Sequence, residues 1–118
     1  MARTLDARLQ DILDAIEGIR QTLAGHSFES FAATWHLQKA TERGLEIISE
    51  ASRHIPAETK LMMANVPWTE IAGIGNVLRH DYQRVEALII WNIVETHLAH
   101  LEEAAREIQN ISLRPPSP

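Results

Sequence analysis

Between residues 75 and 82 the chain reads Gly-Asn-Val-Leu-Arg-His-Asp-Tyr, which sets an arginine, a histidine and a tyrosine almost side by side. His80 is the candidate for proton transfer, because an imidazole titrates near neutral pH and can act as acid or base. Arg79 and Asp81 flank it with charge, and Tyr82 adds a phenol. The plainer alternative is a helix-end histidine held in structural hydrogen bonds, with Tyr82 bonded inside the junction. A second pair, His97 and His100, has the three-residue spacing that puts two metal ligands on one helix face. The sequence supplies no obvious carboxylate to complete that set, so a surface or interface pair is the expectation. His26, His36 and His54 stand alone, and there is no phosphate-cradling glycine loop and no nucleophile elbow.

These residues need a scaffold, and the apolar pattern supplies a helical one. At 118 residues the chain suits one domain with a single core. Apolar residues make up 45% and charged residues 23%, which is ordinary globular material. Cysteine is absent, so disulfides and thiolate metal sites are excluded. A net charge of −5 argues against a protein that coats long nucleic acid. A local basic site remains open if the fold gathers Lys39, Arg43, Arg53, Arg79 and Arg84. No segment reads as a signal peptide, and the longest apolar run, residues 87–91, is far too short to span a bilayer. The expected location is therefore the cytoplasm.

No strand alternation and no internal repeat is visible. Residues 4–23 predict a first helix with Leu5, Leu9, Ile12, Leu13, Ile16, Ile19 and Leu23 on one stripe, ended by Gly25. Ser27 caps a second helix that runs to about Arg53, burying Phe28, Phe31, Trp35, Leu45, Ile48 and Ala51. Pro56 and Pro67 bracket a connector in which residues 57–63 form one or two helical turns. A third helix starts near Pro67 and carries Ile71, Ile74, Val77 and Leu78. It also carries Gly73 and Gly75, for which close packing of another helix is the simplest reason. A last helix spans about 84–108, with Val85, Leu88, Trp91, Val94, Leu98, Leu101, Ala105 and Ile108 buried. Ile89, Ile90 and Ile93 fall off that stripe, which suggests a second buried surface, such as another subunit. Trp35, Trp68 and Trp91 read as core or interface anchors rather than base-stacking platforms. The expected architecture is all-α, a bundle of four to five helices over residues 1–111, followed by a disordered tail at 112–118.

Taken in order, "RLQDILDAIEGI", "SFESF", "ATERGLEIISEAS", "VPWTEIAGIGNVLRHDYQRV" and "IIWNIVETHLAHLE" resemble the HepT-like branch of the HEPN proteins over nearly the whole chain. That resemblance implies a dimeric all-helical ribonuclease toxin that cleaves RNA without metal and has no cofactor. It also implies a cognate minimal nucleotidyltransferase antitoxin. The family signature is an arginine, a polar residue, three variable residues, a histidine, any residue and a tyrosine. Asn76, His80 and Tyr82 match it, but the arginine position is Gly75, a departure. Arg79, one helical turn further on, is expected to substitute, because helical side chains lean toward the N-terminus and Gly75 presents no obstruction. By resemblance, His80 and Arg79 form the catalytic pair, Asn76 positions the phosphate or orients His80, and Tyr82 accepts AMP from the antitoxin. The alternatives are a HEPN module that binds a nucleotide or partner but has lost cleavage with the arginine, and a plain helical dimerisation protein.

Overall fold

A computed structural model describes residues 4–80 and 87–113 of the chain. The described residues form six helices: α1 (Leu5–Leu23), α2 (Phe28–Ala33), α3 (Trp35–Arg53), α4 (Ala57–Met62), α5 (Trp68–His80) and α6 (Ala87–Leu113). The four long helices are the expected all-α bundle, and α2 and α4 are short braces. No strand occurs among the described residues, and none of their helices is long and apolar enough to cross a membrane.

Each long helix runs antiparallel to its neighbour. Arg20 of α1 meets Glu102 of α6, while Gln10 and Gln109 pair at the other end. Residue 44 of α3 packs on Ile19 of α1, and Arg8 shares a hollow with Glu50 and Ala51. α1 thus has α3 on one side and α6 on the other. Its stripe Leu9, Ile12, Leu13, Ile16 and Ile19 is buried as its spacing predicts. Thr4 caps it, its hydroxyl accepting from the Ala7 N–H at 3.1 Å, and Gly25 ends it with φ of 77°, a region open to glycine without strain.

The expected second helix is two. Thr34 leaves helical geometry, with φ −123° and ψ 102°, and separates α2 from α3. No proline or glycine signals this break. Its cause is tertiary: Phe28 and Phe31 turn onto Trp91 of α6, with ring centroids 5.9 and 5.3 Å apart. Burying each ring contributes about 1.5–3 kcal/mol, more than the roughly 1 kcal/mol of an interrupted backbone bond. Little backbone bonding is lost in any case, because Gln38 Nε2 donates to the carbonyls of Phe31 and Ala32 at 3.0 and 3.1 Å. In one continuous helix Trp35 would share the face of Phe28 and Phe31. The break turns it outward, and it is 71% exposed instead of buried.

The last helix also differs in phase. Ile90 is fully buried, whereas Leu88 is half exposed. Val85 lies outside the described residues. From Leu98 through Ile108 the stripe is as expected. α6 extends to Leu113, two residues into the expected tail, and residues 114–118 lie outside the described range.

Candidate functional site

α5 carries the cluster, and the α3–α5 seam determines where it sits. Ser49 Oγ of α3 inserts against the backbone of α5. It donates to the Ala72 carbonyl at 2.8 Å and accepts from the Gly75 N–H at 3.0 Å. Arg53 adds two donations to the same carbonyl, from Nη2 at 3.0 Å and Nε at 3.2 Å. A hydroxyl reaches a helix backbone this closely only where side chains are small, and residues 72, 73 and 75 are alanine, glycine and glycine. Gly75 is buried in this seam. The packing reason expected for the glycines therefore holds at Gly75. It does not hold at Gly73, where an added Cβ meets nothing within 4 Å. The other end of α5 is tied down by Trp68, which is buried and whose indole N–H donates to the carbonyls of Lys60 and Met63.

α5 runs unbroken to His80, its last residue. Helical geometry puts position 80 one turn after Asn76 on one face, and position 79 one turn after Gly75 on the next. Asn76 is exposed, as is Val77 beside it. Tyr82, Asp81 and Arg84 lie outside the described residues. Val77, Leu88 and Ile89, which are 47%, 50% and 39% exposed, are large apolar side chains left open, among the described residues, on the two helices that flank that segment. Among the described residues, Lys39 and Arg53 are not gathered into one patch. Arg53 is engaged on α5, and Lys39 lies about 21 Å away along α3.

His97 does find a carboxylate, one that sequence spacing could not reveal. Glu70 of α5 approaches His97 Nε2 to 3.7 Å across the groove to α6. Asn65, Pro67, Thr96 and His100 complete a hollow of about 330 Å³ there. Among the described residues, no three histidine, aspartate or glutamate side chains are grouped so as to hold a metal ion. Two carboxylates elsewhere are shifted below their ordinary range. Glu50 is held down chiefly by its hydrogen bond with His54, and Glu102 chiefly by that with Arg20. Neither lies at the α5 cluster.

The family model for ribonuclease HepT-like proteins matches residues 12–108, so it takes in most of the bundle and the whole of α5. The chain belongs to the ribonuclease HepT-like family. A candidate RNase of Caldanaerobacter subterraneus subsp. tengcongensis is 38% identical over 100 residues, covering 85% of this chain and 89% of the relative. A candidate ribonuclease HepT of Thermococcus cleftensis is 35% identical over 102 residues, covering 86% and 93%. A candidate RNase of Methanocaldococcus jannaschii is 31% identical over 101 residues, again covering 86% and 93%. No solved structure gives a significant match.

Proposed function

We propose that this chain is a metal-independent endoribonuclease toxin of the HepT type, restrained by a cognate nucleotidyltransferase antitoxin that AMPylates Tyr82. The observation that carries this reading is the family match across residues 12–108, with His80 at the end of a helix clamped to the bundle. RNA brings its own nucleophile. His80 removes the proton of a ribose 2′-hydroxyl, the oxygen attacks the adjacent phosphorus, and a 2′,3′-cyclic phosphate forms as the 5′-oxygen leaves. His80 of a second copy donates a proton to that leaving oxygen. Arg79 stabilises the extra charge on the phosphoryl oxygens, and Asn76 positions the phosphate or orients His80. AMP on Tyr82 puts bulk and negative charge beside the phosphate site and blocks it.

A homodimer built through the helices that bear Gly75 and His80 brings two histidines to one cleft. The exposed Val77, Leu88 and Ile89 support such an interface, since they are large apolar side chains left open on the helices that bear and follow the motif. The Gly75 departure supports one rival, a HEPN module that binds but no longer cuts. Incubation with total tRNA in excess EDTA separates the two. Cleavage that persists in EDTA and disappears in His80→Ala is expected. No cleavage by protein whose intact mass excludes AMP on Tyr82 overturns the nuclease reading and favours the binding module.

A further inference from the structure

Trp35 has no role in the chemistry above, and it is the most exposed aromatic ring among the described residues, at 71%. Its surroundings are polar rather than apolar. Lys39, one turn on, holds its Nζ 5.9 Å from the ring centroid, and a carboxylate oxygen of the largely covered Glu42 fixes that ammonium at 3.1 Å. His36 beside it is exposed. A protein-docking patch of this size normally gathers several apolar side chains around an aromatic anchor. A largely exposed ring with a cation over it is instead the pattern of a base-stacking platform, where bases stack on the aromatic and basic groups track the phosphates.

Its position on α3 points the same way. Arg53 and Ser49 mark the stripe of α3 that α5 covers, through their bonds to Ala72 and Gly75. At about 100° per residue, Trp35 falls on that same stripe, about 21 Å beyond Ser49 toward the start of α3. The pairings 53 with 72 and 49 with 75 make α5 antiparallel to α3, so α5 advances toward Trp35. His80 ends α5 about 8 Å past Gly75, which leaves Trp35 about 13 Å further along the same line. Trp35 thus stands on the stripe of α3 along which α5 lies, beyond the end of α5.

We infer that Trp35 and Lys39 form a subsite for single-stranded RNA, with one base stacked on the open face of the indole and Lys39 against the adjoining phosphate. This inference rests on the ribonuclease reading for its ligand and extends it to a substrate contact outside the motif. The test uses the full chain in a His80→Ala background, which cannot cut, and a fluorescein-labelled, mixed-sequence 12-nucleotide RNA read by anisotropy. Trp35→Ala is expected to weaken binding about tenfold, in line with the loss of one stacked base, and Trp35→Phe by no more than about threefold. Lys39→Gln is expected to lower the slope of affinity against salt by about one phosphate contact. Affinity unchanged by Trp35→Ala, or lost equally in Trp35→Phe, overturns the subsite. So does a fall in dimer mass by sedimentation in Trp35→Ala with affinity per dimer intact, because Trp35 is then a protein contact. Cleavage of the same RNA by the wild-type chain is scored separately. An uncut RNA whose binding still needs a ring at 35 overturns the nuclease reading and leaves the subsite standing.

Discussion

The two seams along α3 are built on opposite principles. Toward α1 the contact is apolar and steric: a Cβ added at Gly44 would lie 2.6 Å from Ile19 Cγ1 and 2.8 Å from its Cδ1. Toward α5 the contact is polar, with Ser49 and Arg53 bonded to the backbone of Ala72 and Gly75. The first seam is part of the core and defines the bundle. The second holds the helix that ends in His80, and directional bonds fix its register as well as its distance. Both use a glycine, but for different ends: Gly44 lets a side chain in, and Gly75 leaves backbone open to a hydroxyl.

The largest expected effect separates chemistry from either seam. Arg79→Ala is expected to lower tRNA cleavage by about 10²–10³-fold, the usual cost of removing one group that stabilises transition-state charge. Its thermal midpoint should stay close to wild type. Full activity in Arg79→Ala refutes its role as a replacement for the missing motif arginine.

Gly44→Ala comes next and tests the steric seam. Overpacking of this kind costs about 1–3 kcal/mol, and urea titration reads it directly. Activity per folded molecule is expected to be unchanged, since α5 does not take part in that contact. Ser49→Ala should cost only about 1 kcal/mol, because Arg53 still serves the Ala72 carbonyl. Cleavage, however, should fall more in Ser49→Ala than in Gly44→Ala once both are corrected for folded fraction. Equal loss in the two variants would erase the functional difference between the seams.

The smallest effect lies outside both. Glu102 bridges α1 and α6 through Arg20 and also binds Arg106 at 3.2 Å. Its pKa is lowered in the folded chain, first by the Arg20 hydrogen bond. A carboxylate held below its ordinary value stabilises the fold above that value and loses the contribution as pH falls through the folded pKa. Glu102→Gln is therefore expected to cost under about 1 kcal/mol at pH 7 and progressively less in acid. Thermal melts at pH 7 and pH 3 check the sign.

Much of this was legible along the chain. The α1 stripe, the Ser27 cap, the connector turn at 57–62 and the start of α5 at Pro67 are local signals, and each occurs where its residues predict. The misreadings are all non-local. Trp35 has the spacing of a buried residue and is exposed, because a contact between α2 and α6 bends the chain at Thr34. Leu88 and Ile90 exchange roles for a similar reason: α6 is apolar on more than one side, so its own pattern cannot choose which side faces α1. The Glu70–His97 approach joins residues far apart in sequence, and no spacing rule encodes it.

By itself, then, the sequence determined the all-helical class, most helix limits and the family, and it offered His80, Arg79, Asn76 and Tyr82 as candidates for the site. Periodicity, capping and motif spacing are properties of neighbouring residues, and they survive whatever the fold does around them. Only the tertiary structure decided that Gly75 is occupied as a backbone partner of Ser49, that α5 runs antiparallel beside α3 toward its Trp35 end, and that Trp35 faces solvent. Those outcomes depend on which faces meet, and that is settled by the competition for burial among all six helices at once.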